Sequence, residues 1–170
     1  SFGRNDDGQL GLGDYNKHTE INQIQSLPKI CYVACGCHNT FCIDENQGVW
    51  SFGRNTYGQL GPGESGSRNF PLKTLLSGVR AVSAGLQHAA FLLDNGYVIM
   101  SGSNDKGQLG IEQIGGNFVA VTLKDHPNIS QIACGYRHTL LLQQRGTVYS
   151  YGDNSSGCLG LGDEIPRSSP

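Results

Sequence analysis

The chain has 170 residues, of which 37% are hydrophobic, and this is enough apolar material for one domain with a buried core. Its 12 basic residues stand against 14 acidic ones, so it lacks the positive charge that direct nucleic-acid binding requires. No apolar run approaches the roughly 20 residues of a membrane-spanning helix, and the first residues do not form a signal segment. We therefore expect a protein inside the cell, in the nucleus or the cytoplasm, with neither nucleic acid nor membrane as its direct partner.

One phrase built around an Asn-x-x-Gly turn recurs four times along the chain. Its turn glycines are spaced by 50, 49 and 50 residues, and they are Gly8, Gly58, Gly107 and Gly157. A fixed period of this length is typical of repeat architectures. We predict a single domain over residues 1–170, whose repeat units lie at about 1–50, 51–99 and 100–149, with a partial unit at 150–170.

Within each unit, short runs of β-prone residues alternate with turn residues. Residues 91–93 and 97–100 flank the turn 94–96, and this pattern predicts a hairpin that recurs one period later. No window of twelve residues combines helical periodicity with capping residues. Short strands at a period near 50 predict an all-β fold, a β-propeller made of four-stranded blades. A β-sandwich would explain the strands but not their repetition.

Two phrases, x-G-x-N-x-x-G-x-L-G and A-C-G-x-x-H-T-L, resemble the repeats of the regulator-of-chromosome-condensation family over nearly the whole chain. Members of that family are usually seven-bladed rings, which at this period need about 350 residues. The resemblance therefore implies about three and a half blades of a longer protein, which needs the rest of the propeller or a second copy to close the ring. Five positions depart from the family pattern: Asn39 for histidine, Ala89 for threonine, Pro62 and Ile111 for leucine, and Cys158 for glutamine.

The recurring polar residues are better explained by structure than by chemistry. Each turn glycine tolerates a positive φ, and no helix or lysine follows it as a phosphate-binding loop would require. His88 and His138 begin strands in apolar surroundings, so we predict that they are structural residues of the core. The residues that follow them, Ala89 and Thr139, differ, and no catalytic set emerges. We expect no enzyme activity, no catalytic residue and no cofactor.

Four of the six cysteines fall within twelve residues, which raises the question of a zinc site. Cys35 and Cys134, however, occupy the same point of the repeat, where the middle copy has Ala84. That position favours a small buried side chain over a metal ligand. Paired C-x-x-C motifs are also absent. We therefore expect no metal site and no disulfide framework.

The two residues between the asparagine and the glycine of each turn differ from copy to copy within a constant frame. Repeat proteins vary exposed positions in this way to give each repeat a different binding surface. The alternative is that exposed residues simply drift. The candidate protein-binding residues are Asp6 and Asp7, Thr56 and Tyr57, Asp105 and Lys106, and Ser155 and Ser156.

The family resemblance implies regulation through protein binding. One hypothesis is a guanine-nucleotide-exchange regulator that acts on a small GTPase, with a chromatin protein as another partner class. The other is a propeller that recruits partners or ubiquitination targets for a larger ubiquitin ligase. Light sensing in the plant ultraviolet photoreceptor branch relies on clustered tryptophans, and Trp50 is the single tryptophan here. The cysteines, which do not suggest pairs, disfavour a secreted inhibitor propeller.

Overall fold

The structure is a computed structural model that describes residues 1–62, 66–113 and 117–170, with the backbone alone at residues 117–119. In the described residues the chain forms strands and turns without a helix, which confirms the all-β prediction. The strands are β1 (Ile30–Cys35), β2 (Asn39–Asp44), β3 (Val49–Gly53), β4 (Arg68–Lys73), β5 (Val79–Ala84), β6 (His88–Leu93), β7 (Val98–Ser103), β8 (Asn117–Leu123), β9 (Ile129–Cys134), β10 (His138–Gln143) and β11 (Val148–Gly152).

The strands form three antiparallel sheets, each of which is one blade. Strands β1 to β4 make the first blade, β5 to β8 the second and β9 to β11 the third, and neighbours in sequence are neighbours in each sheet. Gly152 also bridges Arg167 beyond β11, and Gly3 bridges His18 ahead of the first blade. The inner strands β1, β5 and β9 contact one another in turn, so the blades are arranged around a common axis.

The hydrophobic core lies between the blades because alternate side chains of β6 face opposite neighbours. On one side, Phe91 packs edge-to-face against Phe41 of the first blade, with ring centroids 5.6 Å apart. On the other side, Leu92 packs in a cluster with Leu141 of the third blade. Strand β6 therefore carries apolar residues on both faces, one packed on the first blade and the other on the third, and the stability of the second blade depends on its neighbours.

A fully buried hydrogen-bond chain joins the second and third blades. The Thr139 hydroxyl donates to the Gln108 carbonyl oxygen at 2.8 Å, so it accepts the hydrogen bond from His88 Nε2, which lies 3.1 Å away. Both side chains have no exposed surface. Burial lowers the pKa of His88 to about 4, because an imidazolium would lose its hydration there.

The corresponding place between the first and second blades holds two of the departures from the family pattern. Asn39 stands where the second blade has His88, and Ala89 stands where the third blade has Thr139. The Asn39 side chain is 1% exposed, and neither its Oδ1 nor its Nδ2 has a hydrogen-bond partner among the described residues. The two departures therefore remove both halves of one inter-blade bond.

Two side chains of the second blade take over other contacts of the replaced threonine and of the aromatic residue opposite it, while Asn39 stays unpaired. The hydroxyl of Ser101 donates to the Gln59 carbonyl oxygen at 3.2 Å, a role filled by the threonine of the repeat in the other blades. Ser101 itself occupies the position of an aromatic residue, Phe52 or Tyr151, in the paired strands of the other blades. The ring of Phe91 supplies the contact with Gly61 that this aromatic residue makes elsewhere.

Candidate protein-interaction face

The four turns that carry the predicted tip residues share one construction. The asparagine Oδ1 accepts a hydrogen bond at 2.9 Å from the backbone N–H of the leucine five residues later, in all four turns. The turn glycines have φ values between 66° and 79°. In the first three turns, the glutamine after the glycine accepts a hydrogen bond from the backbone N–H of the second tip residue, at 2.8 to 3.0 Å. The glutamine side chain thereby fixes the backbone of these three tips. The tip side chains take no part in this bond, so they are free to vary.

The fourth turn lacks the glutamine clamp. Cys158 replaces the glutamine, and its thiol donates to the Asp153 carbonyl oxygen at 2.8 Å. In this turn the backbone N–H of the first tip residue, Ser155, donates to the Asp153 carboxylate at 3.2 Å. Burial would raise the pKa of Asp153, but hydrogen bonds from Ser155 and the charges of Lys106 and Arg137 hold that pKa below its usual value.

Each tip shares one end of the blades with the inner hairpin loops. In every blade, the residue at the end of the third strand or directly after it donates its backbone N–H to a loop carbonyl oxygen, that of His38, Gln87 or Arg137, at 2.8 to 2.9 Å. These loops are linked from blade to blade by Cys37 N–H to the Gly85 oxygen and by Leu86 N–H to the Tyr136 oxygen. We define the tip face as the eight tip residues together with His38, Gln87 and Arg137.

The first tip is the most heavily charged part of this face. Arg4 Nε lies 2.6 Å from Asp6 Oδ2. Asp7 Oδ2 lies 3.0 Å from His38 Nδ1, without the alignment of a hydrogen bond, and Asp7 Oδ1 is 3.9 Å from Arg54 Nε. Nothing in the tips themselves pointed to His38 or Arg54, although His38 is displaced by one place from the repeat histidine. That displacement places an ionisable ring beside the first tip.

The remaining tips are less charged. Arg54 Nε donates to the exposed Thr56 hydroxyl at 3.4 Å, while Tyr57 is half-buried. Tyr136 is 61% exposed in the loop of the third blade, with the Arg137 guanidinium 5.8 Å from its ring centroid. Six of the eight tip residues are exposed, and Asp7 and Tyr57 are half-buried.

The two histidines that were predicted to be structural lie at the starts of β6 and β10, with His88 buried and His138 half-buried.

A separate, mainly apolar cleft of about 590 Å³ lies between residues 1–30 and the first blade. Cys35 and Cys42 line it, and burial, with a smaller contribution from Cys35, raises the pKa of the Cys42 thiol to about 11. A thiol with this pKa stays protonated and is a poor nucleophile. Among the described residues, no three His, Cys, Asp or Glu side chains are grouped to hold a metal ion, and no helix is long and apolar enough to cross a membrane.

Comparison with known families finds matches along nearly the whole chain. The model of the regulator of chromosome condensation (RCC1) repeat matches residues 1–43, 46–92 and 95–142. A second model of the same repeat matches residues 79–108 and 129–158.

The curated relatives differ in what their names say they do. Ultraviolet-B receptor UVR8 of Arabidopsis thaliana is 32% identical over 100% of this chain and 40% of its own length. Probable E3 ubiquitin-protein ligase HERC4 of Mus musculus is 41% identical over 99% of the chain and 17% of its own length. Protein RCC2 homolog of Xenopus laevis is 31% identical, with 98% of the chain and 39% of the relative covered. The chain thus spans less than half the length of these relatives.

Solved structures show the same fold. Yeast RCC1 (Prp20) bound to Kap60 superposes with a TM-score of 0.88 at 23% identity, over 99% of this chain and 43% of that one. Human WBSCR16 superposes with a TM-score of 0.81 at 24% identity, over 99% and 45% of the two chains. These structures confirm that the three sheets are blades of a propeller of this type.

Proposed function

Because the chain belongs to the regulator of chromosome condensation (RCC1) repeat family, we propose that it is a non-catalytic regulatory propeller that binds another protein inside the cell through its tip face. The observation that carries this proposal is the contrast between the constant frame and the variable tips. Side-chain clamps hold the backbones of the first three tips at 2.8 to 3.0 Å. The tip side chains, by contrast, change from two carboxylates to a neutral pair, then to an acid beside a base and to two hydroxyls. Preorganised loops of this kind bind with a small loss of conformational entropy.

The finer proposal is a regulator of the guanine-nucleotide-exchange type that acts on a small GTPase. It is supported by the fold shared with yeast Prp20p, whose structure is described together with its binding properties to Gsp1p and histones. A histone-like chromatin protein is the second partner class. The alternative is a recruiting module for ubiquitination targets in a larger ligase, which the 41% identity to the probable ligase HERC4 favours. In that case the repeats bind the target, and the chemistry lies elsewhere.

A nucleotide-release assay separates these functions. Gsp1p loaded with a fluorescent GDP analogue serves as the probe, and both GDP release and binding to the chain are measured. An exchange regulator accelerates release, and a recruiting module binds its target without doing so. The variant Asp6→Lys, Asp7→Lys reverses the charge of the first tip. The control Asp94→Lys, Asn95→Lys changes the net charge by +3 against +4 for the first variant, at two exposed residues of the β6–β7 turn at the other end of the blade. Partner binding that responds equally to both variants would refute the tip face as the binding surface.

A further inference from the structure

The first residue of each tip alternates between a carboxylate and a hydroxyl. The residues are Asp6, Thr56, Asp105 and Ser155. The residue two places before each of these also differs from copy to copy, and it does not follow the same alternation. These residues are Arg4, Arg54, Ser103 and Asp153. Only the first two turns combine an arginine there with an oxygen-bearing side chain at the tip.

In both turns the arginine Nε faces an oxygen of the first tip residue. In the first, Arg4 Nε contacts the Asp6 carboxylate at 2.6 Å. In the second, Arg54 Nε donates to the Thr56 hydroxyl at 3.4 Å. The guanidinium of Arg54 therefore faces a neutral hydroxyl, whereas the equivalent guanidinium of Arg4 faces a carboxylate. In the fourth turn the charge is reversed, because the Asp153 carboxylate lies beside Ser155.

From this contrast we propose that Thr56 is a phosphorylation site whose phosphate is held by Arg54. In the reaction, Thr56 Oγ1 attacks the γ-phosphorus of ATP bound to a protein kinase. The new O–P bond forms as the bond to the β-phosphate oxygen breaks and ADP leaves, while the hydroxyl proton passes to the base of the kinase. The product carries about −1.5 to −2 charges and three acceptor oxygens, which suit a guanidinium donor. Thr56 is exposed at the apex of its turn, so its hydroxyl is accessible.

Phosphorylation would also rearrange the neighbouring charges. Arg54 Nε is 3.9 Å from Asp7 Oδ1, so the phosphate competes with Asp7 for the same guanidinium. With phosphate at Thr56, the first two tips both carry net negative charge, since Asp6 and Asp7 form the first, while Lys106 balances Asp105 in the third. A partner with a basic surface would bind more tightly and an acidic one less tightly. This consequence for the partner rests on the proposed function, but the acceptor site does not.

The acceptor site is tested on the whole chain with Mg-ATP and a serine/threonine kinase that requires arginine two residues before its acceptor. Mass spectrometry of the separated peptides should find a phosphate on Thr56 and none on Ser155, counted apart from Thr147 and Ser169, which are exposed and also follow an arginine by two residues. The phosphate should be lost in Thr56→Ala and in Arg54→Gln, and retained in Arg4→Gln. Asp153→Arg should add a phosphate on Ser155. Absence of phosphate from Thr56, or equal labelling of Ser155 in the unmodified chain, would overturn the assignment.

The clamp is tested separately, because Arg54→Gln removes recognition by the kinase as well. Phosphoserine is inserted at position 56 during translation, and its second ionisation is followed by phosphorus NMR. A partly exposed ion pair with Arg54 should lower the phosphate pKa by about 0.3 to 0.7 unit relative to the same protein carrying Arg54→Gln. Equal pKa values in the two proteins would refute the clamp. Neither measurement uses a binding partner, so the result is independent of whether the proposed function is correct.

Discussion

Two repeat-equivalent residues, His88 and Asn39, should respond in opposite ways to truncation. His88→Ala removes the donor to the Thr139 hydroxyl at a site without exposed surface, and leaves that oxygen short of a partner. An unsatisfied buried group costs about 1 to 3 kcal/mol, and loss of the packed ring adds to this. We expect His88→Ala to lower the free energy of unfolding by at least about 2 kcal/mol. His138 is half-buried, so His138→Ala should lie near the lower end of the range.

Asn39→Ala should not destabilise the chain in the same way. The Asn39 carboxamide is 1% exposed and has no hydrogen-bond partner among the described residues, so its removal relieves an existing desolvation cost. The relief and the small cavity oppose each other, and we expect a change between zero and a gain of about 1 kcal/mol.

Denaturant unfolding followed by the fluorescence of Trp50 measures both free energies. Trp50 is the single tryptophan, and it is half-buried in β3 with its indole N–H bonded to Asp44 at 2.9 Å. A stability for Asn39→Ala as low as that of His88→Ala would refute the reasoning, because it would show that the Asn39 carboxamide does stabilise the blade junction. A neutral result for His88→Ala would show that the His88–Thr139 bond contributes little.

Three further predictions concern pH, glycine and association. Because the pKa of His88 is lowered to about 4 in the folded chain, its contribution to stability is complete above the unfolded pKa near 6.5 and is lost as pH falls toward 4. The loss is on the order of 3 kcal/mol, and unfolding curves at several pH values should show a smaller loss in that window for His88→Gln. Gly107→Ala should destabilise the chain far more than Gly157→Ala, although both glycines have positive φ. A Cβ at Gly107 would meet Ser168 Cα at 2.6 Å, whereas one at Gly157 meets nothing within 4 Å, and equal melting temperatures would contradict this. Finally, Val148 is 61% exposed on the third blade, while its repeat equivalents Val49 and Val98 are fully buried between blades. We expect the chain alone to associate at micromolar concentration, and light scattering that shows a well-behaved monomer would refute this.

The class of fold and the construction of the turns could be predicted from the amino-acid sequence alone. The period of about 50 residues, the short β-prone runs and the Asn-x-x-Gly turns are local signals, and each predicts a structure formed by residues close together in the chain. The hairpins β6–β7 and β10–β11 lie where those runs predicted them. The variable tips were also visible in the sequence, because they stand at fixed positions in a constant frame.

Where each blade begins, and which side chains meet between blades, could be seen only in the folded chain. A repeat can be divided at any point, and the hydrogen-bonded sheets begin at Ile30, Val79 and Ile129, about halfway through the units counted from the glycine turns. Asn39 and Ala89 were visible as separate departures from the pattern, but they belong to one contact because consecutive blades pack face to face. His38 and Arg54 likewise reach Asp7 across a blade boundary. Such contacts join residues about 30 to 50 positions apart, and local periodicity carries no information on which faces they share.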